Sequence, residues 1–126
     1  MITGFHTIVY SDDADATRGF FRDVLGWPAL DAGAGWLIFK TPPSELGVHP
    51  TSEDATDATA TVPYHQASLM CDDIVATLAE LRAKGVDVDD EVRDQGFGLV
   101  ASIRVPGAGW MMVYQPRHGL AHELAG

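Results

Sequence analysis

The chain repeats itself. Residues Gly4 to Trp27 read GFHTIVYSDDADATRGFFRDVLGW: an extended apolar run, an Asp pair, an amphipathic segment and a glycine. Sixty residues on, YHQASLMCDDIVATLAELRAKGV follows the same plan. Asp12, Asp13, Ala16, Thr17 and Arg22 there meet Asp72, Asp73, Ala76, Thr77 and Arg82. Downstream, Asp31-Ala-Gly-Ala-Gly35 leads into WLIFK as Asp94-Gln-Gly-Phe-Gly98 leads into LVASIR, and the two halves close on Pro50 and Pro116. An internal period constrains the architecture before any single residue does. With only two copies, the expectation is two similar modules packed on each other rather than a solenoid.

Within each copy the periodicity changes from two to 3.6. Residues 4–10 are β-branched and aromatic, so a strand is expected, with His6, Ile8 and Tyr10 on one face and Phe5, Thr7 and Val9 on the other. Ser11, Asp12 or Asp13 can cap the following helix, whose stripe is Ala16, Phe20, Phe21, Val24 and Leu25. Gly26 is placed to end it. Short strands are expected at Pro28–Leu30, Trp36–Lys40 and Glu45–His49. Thr51 to Thr61 carries almost no bulky apolar side chain and reads as part of a linker over 51–63. The second copy, 64–116, predicts a strand over Tyr64–Cys71 with Gln66, Ser68 and Met70 on one face. A helix striped by Ile74, Leu78 and Leu81 and stopped at Gly85 follows. Strands over Val86–Val92, Leu99–Val105 and Trp110–Gln115 complete the copy, and residues 117–126 read as a short, fraying tail. The fold class is therefore α+β, two tandem βαβββ modules over 1–50 and 64–116 in one compact domain.

Charge and composition exclude more than they identify. Eighteen acidic residues against eight Lys and Arg give a net charge of -10, which argues against nucleic acid and suits a cationic ligand or simple solubility. One cysteine, Cys71, allows no intrachain disulfide and no thiolate cluster. It has no neighbouring base and reads as a small buried residue. No run of residues is apolar enough for a membrane span, and the early Asp12, Asp13, Asp15 and Arg18 break any signal-peptide pattern. The expected compartment is the cytoplasm. The Gly33/Gly35 and Gly96/Gly98 pairs precede strands, so they are turn glycines rather than phosphate cradles.

The opening His6 strand, FFRDVLGW, LMCDDI with LRAKGV, and VPGAGWMMVYQP, in this order and spacing, resemble the vicinal oxygen chelate superfamily. That group holds glyoxalase I, the bleomycin-resistance proteins and the extradiol dioxygenases. The resemblance implies that the two modules form a curved, barrel-like mixed sheet around a cavity with the helices outside, and it implies a homodimer. On the inner faces it places His6, Ile8, Tyr10, Gln66, Ser68, Met70, Trp110, Met112 and Tyr114. A half-polar, aromatic set of this kind is costly to bury dry and suits a small-molecule pocket.

The same resemblance bears on metal chemistry. Metal-dependent members hold a divalent ion that polarises paired substrate oxygens, with ligands from the first and last strands of each module. His6 takes the first such position, Gln66 the second, and Met112 stands where a glutamate is usual. The remaining position is Leu46 if Pro50 is aligned, or Glu45 after a one-residue shift. A thioether cannot replace a carboxylate on a hard or borderline cation. The candidate metal ligands are thus His6, Glu45 and Gln66, a depleted set, and no catalytic residue is assigned. His118 and His122, four residues apart in the tail, read as solvated. Two functions follow. The first is binding of a small aromatic or cationic molecule without chemistry, with no cofactor, nucleic acid or membrane partner. The alternative is a divalent-metal-dependent lyase, isomerase or extradiol-type dioxygenase using His6.

Overall fold

A computed structural model describes residues 1–51 and 61–125; most of the expected linker, residues 52–60, lies outside them. Helix α1 spans Ala14–Gly19 and continues into a π-helical turn over Phe20–Val24. Strands β1 (Ala29–Asp31) and β2 (Leu37–Phe39) follow, then β3 (Ser68–Met70) and helix α2 (Ile74–Ala83). The chain continues through β4 (Arg93–Asp94), β5 (Gly98–Val105) and β6 (Gly109–Pro116), and ends on a single 3-10 turn over Ala121–Glu123.

The repeated Asp pair does the same work twice. The second Asp of each pair caps its helix: Asp13 accepts from the Ala16 N–H at 3.1 Å and Asp73 from the Ala76 N–H at 3.0 Å. Gly26 and Gly85 then end the helices with φ of 72° and 84°, a conformation costly for any residue with a Cβ. In the π turn, Leu25 N–H bonds to Phe20 O and Trp27 N–H to Phe21 O. Its wider winding accompanies burial of the neighbouring Phe20 and Phe21 together.

The fold is α+β with two sheets. One is the antiparallel pair β1–β2; the other is four-stranded and mixed, ordered β3-β6-β5-β4, with β3 and β6 parallel. Alternation along the long hairpin β5–β6 sorts its side chains. Ala101, Ile103, Val105 and Val113 join Phe20, Phe21, Ile74, Leu78 and Leu81 in one core, so helical residues from both repeats seal the same side of the larger sheet.

The repeats are closed to different degrees. Residues 1–10 form no strand and stand exposed, as do residues 45–50 apart from a half-buried Glu45. The expected strands at 4–10 and 45–49 are therefore corrected. In the second repeat the corresponding segments, β3 and β6, pair with each other; in the first, neither segment finds a ladder partner in its own chain. Val86–Val92 is reduced to one bridge, Val88 to Ile103, because Asp87, Asp89 and Asp90 fit a pleated surface poorly. The tail also differs from expectation, since its turn is tied to Glu45 through the Ala121 N–H at 2.8 Å.

A narrow seam joins the repeats. The β5–β6 turn runs through Pro106 and Gly107, with Ala108 N–H bonded to Val105 O at 2.9 Å and Gly107 at φ 80°. Proline followed by a positive-φ glycine is the type II pattern. The start of α1 sits on this turn: Asp12 N–H donates to Gly107 O at 2.8 Å, and buried Thr17 donates its hydroxyl to Pro106 O.

Candidate functional site

The face of the larger sheet away from the helices is open. Register places Ser68 beside Met112 and Met112 opposite Ser102, and Met70 beside Tyr114 and Tyr114 opposite Val100. Trp110 lies opposite Arg104, whose guanidinium rests 5.9 Å from the indole centroid. On this face is a cleft of about 290 Å³ lined by Val100, Ala101, Ser102, Trp110 and Met112 of the hairpin, with Gln66, Asp89, Arg93, Gln95 and Phe97 around it. The indole of Trp110 and the ring of Phe97 are each about half exposed, at 55% and 51%.

The polar rim is braced from behind. Arg117 grips Asp94 through two parallel bonds of 2.5 and 2.8 Å, and its own N–H bonds to Phe97 O at 2.9 Å. The guanidinium, helped by the Gly96 N–H, draws the Asp94 carboxyl down to about 2 from its ordinary 3.8. Phe97 then meets Tyr114 edge-on at 6.0 Å. Tyr114 reaches the Glu45 carboxylate at 3.4 Å. Burial chiefly, and then the nearby Glu45 charge, push its phenol upward, so it stays a hydrogen-bond donor at neutral pH.

The structure distributes the expected residues unequally. Gln66, Trp110 and Met112 line the cleft, and Ser68, Met70 and Tyr114 lie in register on the adjoining strands. His6, Ile8 and Tyr10 stand on the exposed N-terminal segment. Sequence reasoning missed Asp89, Arg93, Gln95, Phe97, Val100 and Ser102. Alternation in LVASIR held a signal for Val100 and Ser102, which must face opposite Ile103. Nothing comparable marked Asp89 or Arg93, because short irregular connections bring them to the rim.

The family model described as Glyoxalase/Bleomycin resistance protein/Dioxygenase superfamily matches residues 5–123. The chain belongs to that superfamily. Its fold is similar to lactoylglutathione lyase from Agrobacterium tumefaciens, at 20% identity and TM-score 0.60, over 90% of this chain and 92% of that one. It is also similar to TnmS3, an antibiotic binding protein from Streptomyces sp. CB03234, at 20% identity and TM-score 0.62, over 92% and 98%. A glyoxalase/bleomycin resistance protein/dioxygenase from Nocardioides aligns at 15% identity and TM-score 0.55, over 98% and 93%. None of the curated proteins matches the chain.

The donors that this superfamily resemblance nominates for a divalent ion do not fit one as arranged. Glu45 has one oxygen on the Ala121 N–H and the other facing the Tyr114 hydroxyl. Gln66 accepts from Tyr64 through its amide oxygen at 2.9 Å, and Met112 offers only a thioether. Among the described residues no three His, Cys, Asp or Glu side chains gather as a metal site. Cys71 supplies no nucleophile, since burial, with Asp72 and Asp73 adding to it, pushes its thiol upward. No helix among the described residues is long and apolar enough to cross a membrane.

Proposed function

We propose that this superfamily member binds a small planar molecule, aromatic or cationic, in the cleft on the open face of its larger sheet, and that it does so without chemistry. The observation that carries the reading is the pair of half-exposed rings, Trp110 and Phe97, facing a cleft whose remaining lining is polar or thioether. Large aromatic faces left open to water are costly, and they gain by stacking on a planar guest. Asp89 in the cleft and the net charge of -10 favour a cationic guest over an anionic one. Gln66 and Ser102 orient it through hydrogen bonds, and Met112 supplies a soft, adaptable floor. No metal is required for this role, and the setting is the cytoplasm expected from the sequence.

The unpaired segments 1–10 and 45–50 support a homodimer, in which a second copy covers apolar side chains such as Phe5, Ile8 and Leu46 that stand exposed in one chain. His6, Ile8 and Tyr10 join the ligand site only in such an assembly. The test is calorimetric titration with a panel of planar cations, planar neutral compounds and non-planar amines of similar size. Planar cations bind best, and Trp110→Ala weakens them by about 1–3 kcal/mol, roughly 10- to 100-fold. Binding that ignores Trp110→Ala, or that appears only with added divalent metal, overturns the proposal. The second result would restore the metal-dependent lyase, isomerase or dioxygenase reading that uses His6.

A further inference from the structure

The tail holds an arrangement that the cleft does not use. Glu45, whose side chain is only 10% exposed, is approached from two sides by imidazoles: His118 Nε2 lies 3.8 Å from its Oε1 and His122 Nδ1 lies 4.0 Å from its Oε2. Both separations exceed a hydrogen bond. What currently joins the tail to Glu45 is the single Ala121 N–H at 2.8 Å.

The proton on His118 can be placed. Its Nδ1 lies 2.8 Å from Gly119 O, and a carbonyl oxygen only accepts, so Nδ1 carries the hydrogen. A neutral imidazole has one N–H, which leaves Nε2 as a bare lone pair facing a carboxylate, acceptor against acceptor. Adding one proton turns Nε2 into a charged donor aimed at Glu45. The same proton makes the second imidazole, His122, a cation beside the other oxygen.

We propose that the segment His118–Glu123 is a proton-operated clasp, loosely seated on Glu45 when its histidines are neutral and drawn tight when they are protonated. Charge-assisted bonds are about twice as strong as neutral ones, and the carboxylate's near-burial limits screening. Other ionisable groups do not reverse the sign. Tyr114 on β6 faces Glu45 as a neutral donor, and its ring lies 6.3 Å from that of His118. Arg117, adjacent in the chain, is committed to Asp94. Glu123, next to His122 in the turn, adds a second negative charge that also favours imidazolium. Histidine changes charge between about pH 5 and 8, so acidification tightens the clasp. It also orders residues 45–50, which no sheet holds, at the Tyr114 end of the open face. The inference is independent of whether the cleft takes a ligand.

The test uses the full chain, labelled with nitrogen-15, and reads backbone heteronuclear NOEs at Gly119–Leu124 at pH 5.5 and 7.5. The wild-type tail is expected to become more rigid on acidification by a change of about 0.2 in NOE, towards the value of β5 and β6. His118→Gln/His122→Gln should keep the looser value at both pH values, and Glu45→Gln should do the same. A wild-type tail with no pH dependence overturns the clasp. So does a histidine double variant, or a Glu45→Gln variant, that keeps the wild-type dependence. The histidine variants change partly exposed side chains, so their fold is preserved, and the NOEs of β5 and β6 verify this in the same spectra.

Discussion

Two glycines three residues apart at the β5–β6 turn provide a controlled experiment on the seam between the repeats. Gly107 and Gly109 have nearly the same backbone, at φ 80° and 77°, but their surroundings differ. A Cβ on Gly109 would meet nothing within 4 Å, whereas one on Gly107 would come within 2.5 Å of Ser11 Oγ, 2.8 Å of Asp13 O and 2.9 Å of Asp13 N. Gly109→Ala therefore reports the cost of the left-handed conformation alone, about 1–2 kcal/mol. Gly107→Ala carries that cost and must also push the start of α1 away. The displacement breaks the bonds from Asp12 N–H to Gly107 O and from Thr17 to Pro106 O, each contributing about 0.5–1.5 kcal/mol net. The expected destabilisation is about 2–5 kcal/mol at Gly107, and at least 1 kcal/mol more than at Gly109. Urea unfolding followed by tryptophan fluorescence measures both, with m-values checked for constancy. Equal losses within about 0.5 kcal/mol would refute the tight seam, leaving φ as the only constraint.

The Asp94 carboxyl, lowered to about 2 by Arg117, makes its pair a source of stability above the ordinary carboxylate pKa of 3.8 that is lost as pH falls through about 2. Arg117→Gln should return the Asp94 titration, followed by carbon-13 NMR, towards 3.8. Sedimentation at micromolar concentration should give twice the 13.5 kDa chain mass, and deleting residues 1–10 should give a monomer; a monomeric parent chain would reject the exposed-segment argument. Protein purified without added metal should carry no stoichiometric divalent ion by elemental analysis, because Glu45 and Gln66 already have hydrogen-bond partners; an ion lost on His6→Ala would show that His6 is brought to them.

The legible parts of the chain were those where local chemistry and final packing agree. The Asp pairs, the helical stripes and the terminating glycines carry their instructions within a few residues, and the helices formed as read apart from the π turn at Phe20. The 98–116 hairpin was legible for the same reason, since Pro106-Gly107 sets the turn and alternation sets the faces. Strands over 4–10 and 45–49 have suitable side chains, but a strand exists only through its neighbour, and periodicity says nothing about whether one is supplied. The site divides on that line. Gln66, Trp110 and Met112 follow from alternation on paired strands, while Asp89, Arg93 and Phe97 reach the cleft from connections without a period. The tail's hold on Glu45 was invisible because it joins residues far apart in sequence through one carboxylate.

The parallel neighbours β3 and β6 set an order of events for a chain emerging from the ribosome. Ser68 is made early, but its ladder partner Met112 arrives only after α2, β4 and β5 have been synthesised. Until then β3 has no sheet to join, and Leu69 and Cys71, which pack against the finished core, have little to pack on. The sheet must therefore grow from the β5–β6 hairpin, whose strands are adjacent in sequence and joined by a tight turn, with β3 added last against the entropy of a long closed loop. Nascent chains arrested just short of β6 would hold a helix and an unpaired edge awaiting their sheet, a species that depends on prompt completion of translation to escape aggregation.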